Sequence, residues 1–397
     1  QGELKADKLD LAALSQVTSR LPLGTATLDA LATYDPKGLV ETVQARWQGP
    51  LNAPLNYQAK GRATALQVAA RAASLPRGST ATHAPPGTPG VRGAALDFDL
   101  TQTGGKARLA VQKGAVELPG VFEDPVVPLD ELSADLQWQV NGAQLSASVN
   151  NLKFSNADAE GQAQASWRTA DPARSGSRSR FPGVLDLQGT LSRGEGTRVH
   201  RYLPLFVGKD ARNYVREAVV QGSASGVKFR VKGDLYDMPF NDPKLGEFRI
   251  SANVKNATYA FVPRAIQPSG APPWPTLTQL AGELVFERSG MQVKGATGRL
   301  VGAGANASGL QVTRAEANIA NLARSTTVVV SADVRGPLAE SLAIVNTSPL
   351  GGLMGNALDK ATATGNADVR LNLTLPVANI DRSRVLGSVT LAGNDVQ

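Results

Sequence analysis

The stretch LSADLQWQVNGAQLSASVNNLKF, residues 132–154, decides the fold of this chain. Apolar and polar residues alternate on both sides of Asn141-Gly142, so that Leu136 and Trp138 share one face while Gln137 lies on the other. The Asn-Gly pair supplies the two positive-φ residues of a tight hairpin. The stretch therefore predicts two antiparallel strands with one apolar face.

The same alternation recurs along most of the 397 residues, between short turns that contain Gly, Asn or Ser. It predicts strands at residues 43–47, 57–63, 94–100, 107–111, 132–154, 157–167, 184–191, 227–235, 248–254, 280–286, 291–293, 315–319, 326–334, 367–375 and 385–391. No shift in composition separates independent cores, so we expect one continuous β-segment over 1–397. The predicted fold is mostly β: a long curled antiparallel sheet that forms an open hydrophobic groove, with a few short amphipathic helices.

Helices and long loops are few in this pattern. Asp210 as an N-cap and Gly222 beyond the end predict a helix over 209–221. Pro337 at a helix start, followed by an apolar stripe, predicts a helical cap over 337–358. Two segments rich in Pro, Gly, Ser and Thr, 75–93 and 170–180, predict disordered loops at the surface.

The chemistry of catalysis is missing from the sequence. There is no cysteine, and the two histidines, His83 and His200, are isolated, so we expect no metal and no other cofactor. No nucleophile elbow, phosphate-binding loop or paired acid and base carboxylates stand out. The chain is therefore predicted not to be an enzyme.

The formal net charge of +7 is partly concentrated in the arginine-rich residues 168–180. This cluster has two interpretations, a contact with anionic lipid headgroups or a solvated loop. Nucleic-acid binding is excluded because few aromatic residues accompany the arginines. No apolar run reaches the ~20 residues of a membrane-spanning helix. Because the chain starts and ends inside the strand pattern, we expect it to be a piece of a longer protein.

The apolar face is itself the candidate functional surface. Its predicted lining residues are Leu96, Phe98, Leu100, Leu109, Val111, Leu132, Leu136, Trp138, Leu145, Val149, Phe229, Val231, Phe248, Ile250, Val254, Leu284, Phe286, Val293, Val328, Val330, Leu371 and Leu373. Alternation alone is equally typical of an ordinary β-sandwich or solenoid. The aromatic members of the set therefore have a second interpretation, as core residues packed under a helix.

A family resemblance enters between Tyr202 and Val301. The motifs that carry it are YLP at 202–204, VREA at 215–218, GDL at 233–235, MPF at 238–240, GEF at 246–248 and WP at 274–275. In this order they resemble the central region of the YhdP family of large AsmA-like proteins in the Gram-negative envelope. SPL at 348–350 also fits that family. The sequence departs from the family pattern in an insertion over 264–273.

The resemblance implies a bridge-like lipid-transfer protein whose long β-groove crosses the periplasm. The implied function is a conduit that carries phospholipid between the inner and outer membranes, with acyl chains sheltered in the groove. Phospholipid is the implied partner, and both membranes are contacted through parts outside this chain. The implied location is the periplasm, with attachment to the inner membrane through an N-terminal segment absent here.

Two other functions compete with the conduit. One is a scaffold for outer-membrane protein assembly, as proposed for TamB-like relatives, which would use a sheet edge to pair with client strands. The other is a β-solenoid adhesin, which would show regular short repeats. The irregular turns of this chain argue against the adhesin.

Overall fold

The computed structural model describes residues 1–17, 24–74, 86–302, 309–324, 326–376 and 382–396. Within them, seventeen strands form a single antiparallel sheet, as the alternation predicts. The first nine are β1 (Gly2–Asp10), β2 (Lys37–Gln48), β3 (Asn56–Val68), β4 (Gly90–Thr101), β5 (Gly104–Glu117), β6 (Val126–Asn141), β7 (Gln144–Ser155), β8 (Ala159–Arg168) and β9 (Val184–Glu195). The others are β10 (Val219–Asp234), β11 (Gly246–Tyr259), β12 (Thr276–Glu287), β13 (Gly290–Val301), β14 (Leu310–Ile319), β15 (Thr327–Pro337), β16 (Asn366–Pro376) and β17 (Arg384–Leu391).

The sheet is a meander in which each strand pairs with the strand before it and the strand after it. It is open: among the described residues, β1 pairs with β2 alone and β17 with β16 alone. At a spacing of ~4.8 Å, seventeen strands extend over about 77 Å across the strand direction. The length of the strands sets the other dimension of the sheet.

A row of β-bulges crosses the sheet. Residues with positive φ lie at or beside shifts in the strand register, namely Ala65 in β3, Gly93 in β4, Lys113 in β5, Asn151 in β7, Gly226 in β10, Asn256 in β11, Gln279 in β12 and Gly295 in β13. Each extra residue bends its strand and increases the local twist. Because successive strands carry their bulges next to one another, the sheet curves along this row.

The bulges also explain why the strands are longer than predicted. On β11 the spacing of the apolar positions changes from two residues to three between Val254 and Ala257, and on β13 between Val293 and Ala296. Strict alternation ends at this step. The strands predicted at 248–254 and 291–293 therefore stop at the bulge, although the pairing continues beyond it.

Five α-helices accompany the sheet in the described residues: α1 (Leu11–Val17), α2 (Thr25–Tyr34), α3 (Lys209–Ala218), α4 (Leu338–Asn346) and α5 (Pro349–Leu353). Helix α3 is the predicted helix, but Gly208 is its N-cap and Asp210 lies in its first turn. It ends at Ala218 because β10 begins at the next residue. The predicted cap at 337–358 contains α4 and α5. Helices α1 and α2 were not predicted.

The helices all lie at one side of the sheet. In an antiparallel meander, connections that follow odd-numbered strands lie at one rim, here rim A, and those that follow even-numbered strands lie at rim B. Helices α1 and α2 follow β1, α3 follows β9, and α4 and α5 follow β15. Rim A therefore carries every α-helix of the described residues.

The predicted disordered loops have different outcomes. Residues 75–85 lie outside the described residues, and β4 already begins at Gly90. Residues 170–180 are folded, which differs from the predicted disorder. The Ala170 amide donates to the Arg180 carbonyl at 2.9 Å, and the Arg174 and Ser175 amides donate to the Asp171 carbonyl. Asp171 and the Ser residues of the segment instead close consecutive turns.

Two packed clusters of the core lie toward rim A. In the first, Ala94, Val111 and Leu129 are buried, with Leu132 and Phe154 packed against them. In the second, Ile344 of α4 is buried against β14 and β15, through Leu310, Val312 and Val334. A helix thus packs on the sheet at the second cluster, whereas the first cluster consists of side chains from the strands alone.

Candidate functional site

Strand register joins the apolar side chains into continuous rows on one surface of the sheet, here named the apolar face. One row follows the partners Ala6, Val43, Gly61, Phe98, Ala107, Leu136, Val149, Ala165, Leu187, Val231 and Phe248 from β1 to β11. A second row follows Ala252, Leu284, Val293, Ala317, Val330, Leu373 and Val385 from β11 to β17. Because partners on adjacent strands point to the same side, each row is an uninterrupted apolar path.

Every predicted lining residue, from Leu96 to Leu373, lies on this face. They do not share one environment. Val111 is only 1% exposed inside the first cluster, and Leu109 and Leu132 pack against it. Leu371 packs against the second cluster, under α4. Leu136 and Trp138 are half-buried and belong to neither cluster.

Sequence reasoning missed some members of these rows. Trp167 and Leu187 lie on the apolar face beside predicted lining residues, yet they were not among the predicted set. Their strands had been predicted, at 157–167 and 184–191. The missing information was the register, because alternation gives two faces for each strand and only pairing relates the faces of different strands.

Several aromatic rings occupy the space above glycines of the neighbouring strand. A Cβ built on Gly189 would stand 2.3 Å from Cζ of Phe229, and one on Gly105 would stand 2.7 Å from Cζ2 of Trp138. Phe98 lies over Gly61 in the same way. A ring that fills the space above a glycine follows the sheet surface. The glycines therefore leave room at the sheet surface for the bulky side chains of the neighbouring strands.

The opposite surface, here named the polar face, is held by ion pairs between neighbouring strands. Arg62 on β3 pairs with Asp97 on β4 at 2.9 Å, Arg249 on β11 with Glu287 on β12 at 2.7 Å, and Arg370 on β16 with Asp333 on β15 at 3.0 Å. Hydrogen bonds from Asn151 and then Arg108 lower the pKa of the Asp135 carboxyl on this face. These pairs leave the polar face charged and hydrated.

Two open depressions of about 520 and 590 Å³ lie on the polar face. The lining of the first includes Gln137, Ser148 and Ser166, and that of the second includes Gln162, Gln188 and Thr190. Each set follows rows of polar partners on β6 to β11. Apolar-face residues of the same strands, among them Trp138 and Trp167 in the first and Phe229 in the second, also contribute atoms to the linings.

A buried polar cluster anchors the β9–β10 connection to rim A. The Tyr202 hydroxyl donates to Oδ2 of Asp158 at 2.9 Å and accepts from Nδ2 of Asn156 at 3.2 Å. Arg201 bridges Asp158 at 2.8 Å and Asp124 at 3.0 Å. Burial raises the pKa of the Tyr202 hydroxyl. With every member paired, the cluster is a structural clamp.

His200, the histidine within the described residues, is hydrogen-bonded to the backbone. Nδ1 of His200 lies 3.0 Å from the Thr197 carbonyl, and burial, followed by the charge of Arg216, lowers its pKa. His83 lies outside the part of the chain that the structure describes. Across the described ranges, no group of three or more His, Cys, Asp or Glu residues is placed to hold a metal ion. In the same ranges, no helix has the length and apolar character needed to span a membrane.

Comparison with known proteins gives one family and one curated relative. A family profile described as YhdP protein matches residues 1–397. The chain is similar to the protein named "Intermembrane phospholipid transporter YhdP" of Escherichia coli (strain K12), with 26% identity over 213 residues. The aligned region covers 53% of this chain but only 15% of that relative. No solved structure matches the chain.

Proposed function

The chain belongs to the YhdP protein family along its whole length, as its motifs predict, and from this premise we propose that it is one section of a phospholipid conduit. The relative's name is that of a transporter and not of an enzyme, in agreement with the predicted lack of catalysis. The observation that carries the proposal is the unbroken series of apolar rows from β1 to β17.

The apolar face suits a mobile lipid because it shelters acyl chains from water. Each buried CH₂ is favoured by about 0.8 kcal/mol, so the two chains of a phospholipid do not cross water readily without cover. Lipid lies on this face with its chains against Leu136, Val149 and Val231, and its headgroup in water. An apolar row that continues from strand to strand gives the chains similar surroundings at each step.

The lining of small aliphatic side chains also favours movement of lipid along the face over tight binding at one position. The row residues are mainly Ala, Val and Leu, and the rings of Phe98, Trp138 and Phe229 occupy the space above glycines of the neighbouring strand. A deep specific pocket would hold one lipid strongly and slow its movement. The span of about 77 Å exceeds what one lipid needs, which supports a path shared by several lipids.

The location follows from the same proposal. A conduit between membranes works in the periplasm, so we place this section there. Attachment to the inner membrane and contact with the outer membrane belong to other segments of the full-length protein.

Photocrosslinking tests the path directly. A photoreactive residue placed at Leu136, Val231 or Leu284 is expected to capture phospholipid in cells, because these positions lie on the apolar face. The matched controls are Gln137 and Lys232, which are the next residues along the same strands and lie on the polar face. Equal capture on both faces, or capture at the controls alone, overturns the conduit.

A polypeptide captured in place of lipid distinguishes the competing function. If the apolar-face positions yield no lipid and a photoreactive residue on edge strand β17 captures an outer-membrane protein, the assembly scaffold replaces the conduit.

A further inference from the structure

We propose that lipid headgroups lie along rim B of the sheet, where Arg174, Arg178 and Arg180 contact their phosphate groups. This inference rests on the proposed conduit and deepens it, because it assigns the headgroup to one of two rims and to a particular segment of the chain.

Rim A is already occupied by protein. It carries α1 to α5, and the two buried clusters lie toward it. At the second cluster, Ile344 of α4 packs against Leu310 and Val334 on the apolar face itself. A headgroup that left the groove at this rim would meet helices and packed strand ends. Rim B carries no α-helix in the described residues, and its own fully buried ring, Phe240 beside Gly233 and Gly246, belongs to the β10–β11 connection and not to the arginine segment.

The arginine segment is fixed to the apolar face at rim B. It belongs to the connection between β8 and β9, and Phe181 at its end stacks on Trp167 with ring centroids 6.1 Å apart. Nε1 of Trp167 donates to the Pro182 carbonyl at 2.9 Å. Trp167 pairs with Leu185 and Ala147 in the apolar row that also holds Trp138. The arginine segment thus lies directly beside the apolar face, where the acyl chains are proposed to bind.

The arginines of the β9–β10 connection at rim A and those of residues 168–180 at rim B differ in how they are neutralised. At rim A, Arg201 pairs with Asp124 and Asp158, while Arg212 and Arg216 both pair with Glu123. These guanidinium groups already have carboxylate partners. They are not available to a phosphate without breaking an existing ion pair.

At rim B, the arginines of residues 168–180 have no ion pair with a carboxylate of the described chain. Arg180 donates to the Ala143 carbonyl at 2.6 Å, and its guanidinium carbon lies 6.0 Å from the centroid of the Phe181 ring. Asp171 is the carboxylate within the segment, and its Oδ1 accepts from the Ala173 amide at 3.0 Å. Arg168, Arg174 and Arg178 are exposed to solvent.

The phosphodiester of a net-anionic headgroup, which has no ammonium group beside it to repel arginine, is the anion that this arrangement suits. The planar guanidinium group donates two parallel hydrogen bonds to phosphate oxygens. Phe181, which is 51% exposed, adds an apolar surface at the rim where the acyl chains of a bound lipid join its headgroup. The combination of arginine and aromatic groups at a boundary between oil and water favours an anionic amphiphile over a free anion.

The test measures which lipids the whole chain retains. The chain is incubated with vesicles of equal phosphatidylglycerol and phosphatidylcholine, repurified, and its bound lipids are quantified by mass spectrometry. In the double variant Arg174→Gln with Arg178→Gln, we expect the ratio of anionic to zwitterionic lipid to fall about threefold, the effect of losing two exposed charge contacts. The matched control, Lys106→Gln with Lys153→Gln, removes two exposed charges from the polar face and is expected to leave the ratio unchanged.

The outcomes separate this inference from the conduit. If the parent chain retains no lipid, the proposed function fails and the headgroup site fails with it. If lipid is retained but the ratio is unchanged in the arginine variant, or falls equally in the control, the headgroup site alone is overturned.

A positional readout supplements the ratio. A lipid with a photoreactive headgroup is expected to crosslink near Phe181 at rim B and not near Phe206 at rim A, although both side chains are exposed. Crosslinking confined to the region of Phe206 would assign the headgroups to rim A and overturn the proposal.

Discussion

Phe229 on β10 lies over Gly189 on β9, so that a Cβ at residue 189 would stand 2.3 Å from the ring. The pair shows how the sheet accommodates a large ring without raising its floor. Gly189 has no side chain, and the ring of Phe229 on the adjacent strand fills the space that a side chain would take.

This relationship predicts the effect of Gly189→Ala. The new methyl group displaces the ring and crowds the Gln162 carbonyl, so we expect a loss of about 1–3 kcal/mol in the free energy of unfolding, measured by urea denaturation. The control is Gly352→Ala, where a Cβ meets nothing within 4 Å and α5 gains a better helix former. An equal loss in both variants would contradict the ring-over-glycine account.

The bulge row predicts a stabilising substitution. Ala65 has a φ of 49° and an exposed side chain, so Ala65→Gly removes backbone strain and little packing. We expect the unfolding free energy to rise by up to about 1 kcal/mol. Ala63→Gly, two residues earlier on the same strand and buried, is expected to lower it by roughly 1 kcal/mol. Loss of stability in Ala65→Gly would show that the bulge does not strain the backbone.

Helix α4 predicts a localised loss of packing. Ile344 is 3% exposed in the second cluster, and Ile344→Ala is expected to cost about 2–4 kcal/mol because the helix cannot fill the cavity. Hydrogen exchange should show faster opening of β14 and β15, which pack against this residue. Ala339→Ser on the exposed side of α4 serves as the control. Unchanged exchange in β14 and β15 would contradict the packing role.

The clamp at rim A predicts unequal effects of two aspartates that share one arginine. Asp158→Asn weakens the bonds to both Tyr202 and Arg201 in a buried setting, and is expected to cost about 1.5–3 kcal/mol. Asp124→Asn affects only the exposed half of the bridge and should cost less than about 1 kcal/mol. Thermal unfolding of both variants gives the comparison, and equal losses would contradict the clamp.

The polar face predicts a loss of stability in acid. Hydrogen bonds from Arg230 and Arg335 lower the pKa values of Asp186 and Asp368 below the ordinary 3.8. A lowered pKa in the folded state means that the stabilisation is complete above pH 3.8 and is lost as pH falls through the folded value. Asp368→Asn should reduce this acid loss, and 1 M salt should weaken it further. Stability that is independent of pH below 4 in the parent chain would contradict the prediction.

The sequence predicted the strands well and their full lengths poorly, for one physical reason. Alternation reveals a strand only while its spacing stays at two residues, and near Asn256 and Gly295 the spacing changes to three. The predicted ends at 254 and 293 are the positions of bulges. Three-residue steps followed by renewed alternation are therefore a readable signal for curvature.

The sequence predicted which residues form the apolar face, but not how these residues connect from strand to strand. Alternation placed Leu136 and Val231 on apolar sides of their strands, yet only pairing connects them through Ala165 and Leu187. It did not distinguish Val111, which is core, from Trp138, which is not. Helices α1 and α2 were not predicted because the residues at the start of the chain indicate a strand more strongly than a helix.

The meander has a consequence for how the protein forms. Each strand meets only its neighbours along the chain, so every pairing joins consecutive strands, some across a tight turn and others across a helical connection. The ordering of one strand pair therefore prepares the edge for the next. Folding can therefore advance step by step as the polypeptide emerges, with one growing edge at a time. Inserting or removing a hairpin pair alters the reach of such a sheet while leaving the existing contacts of the other strands in place.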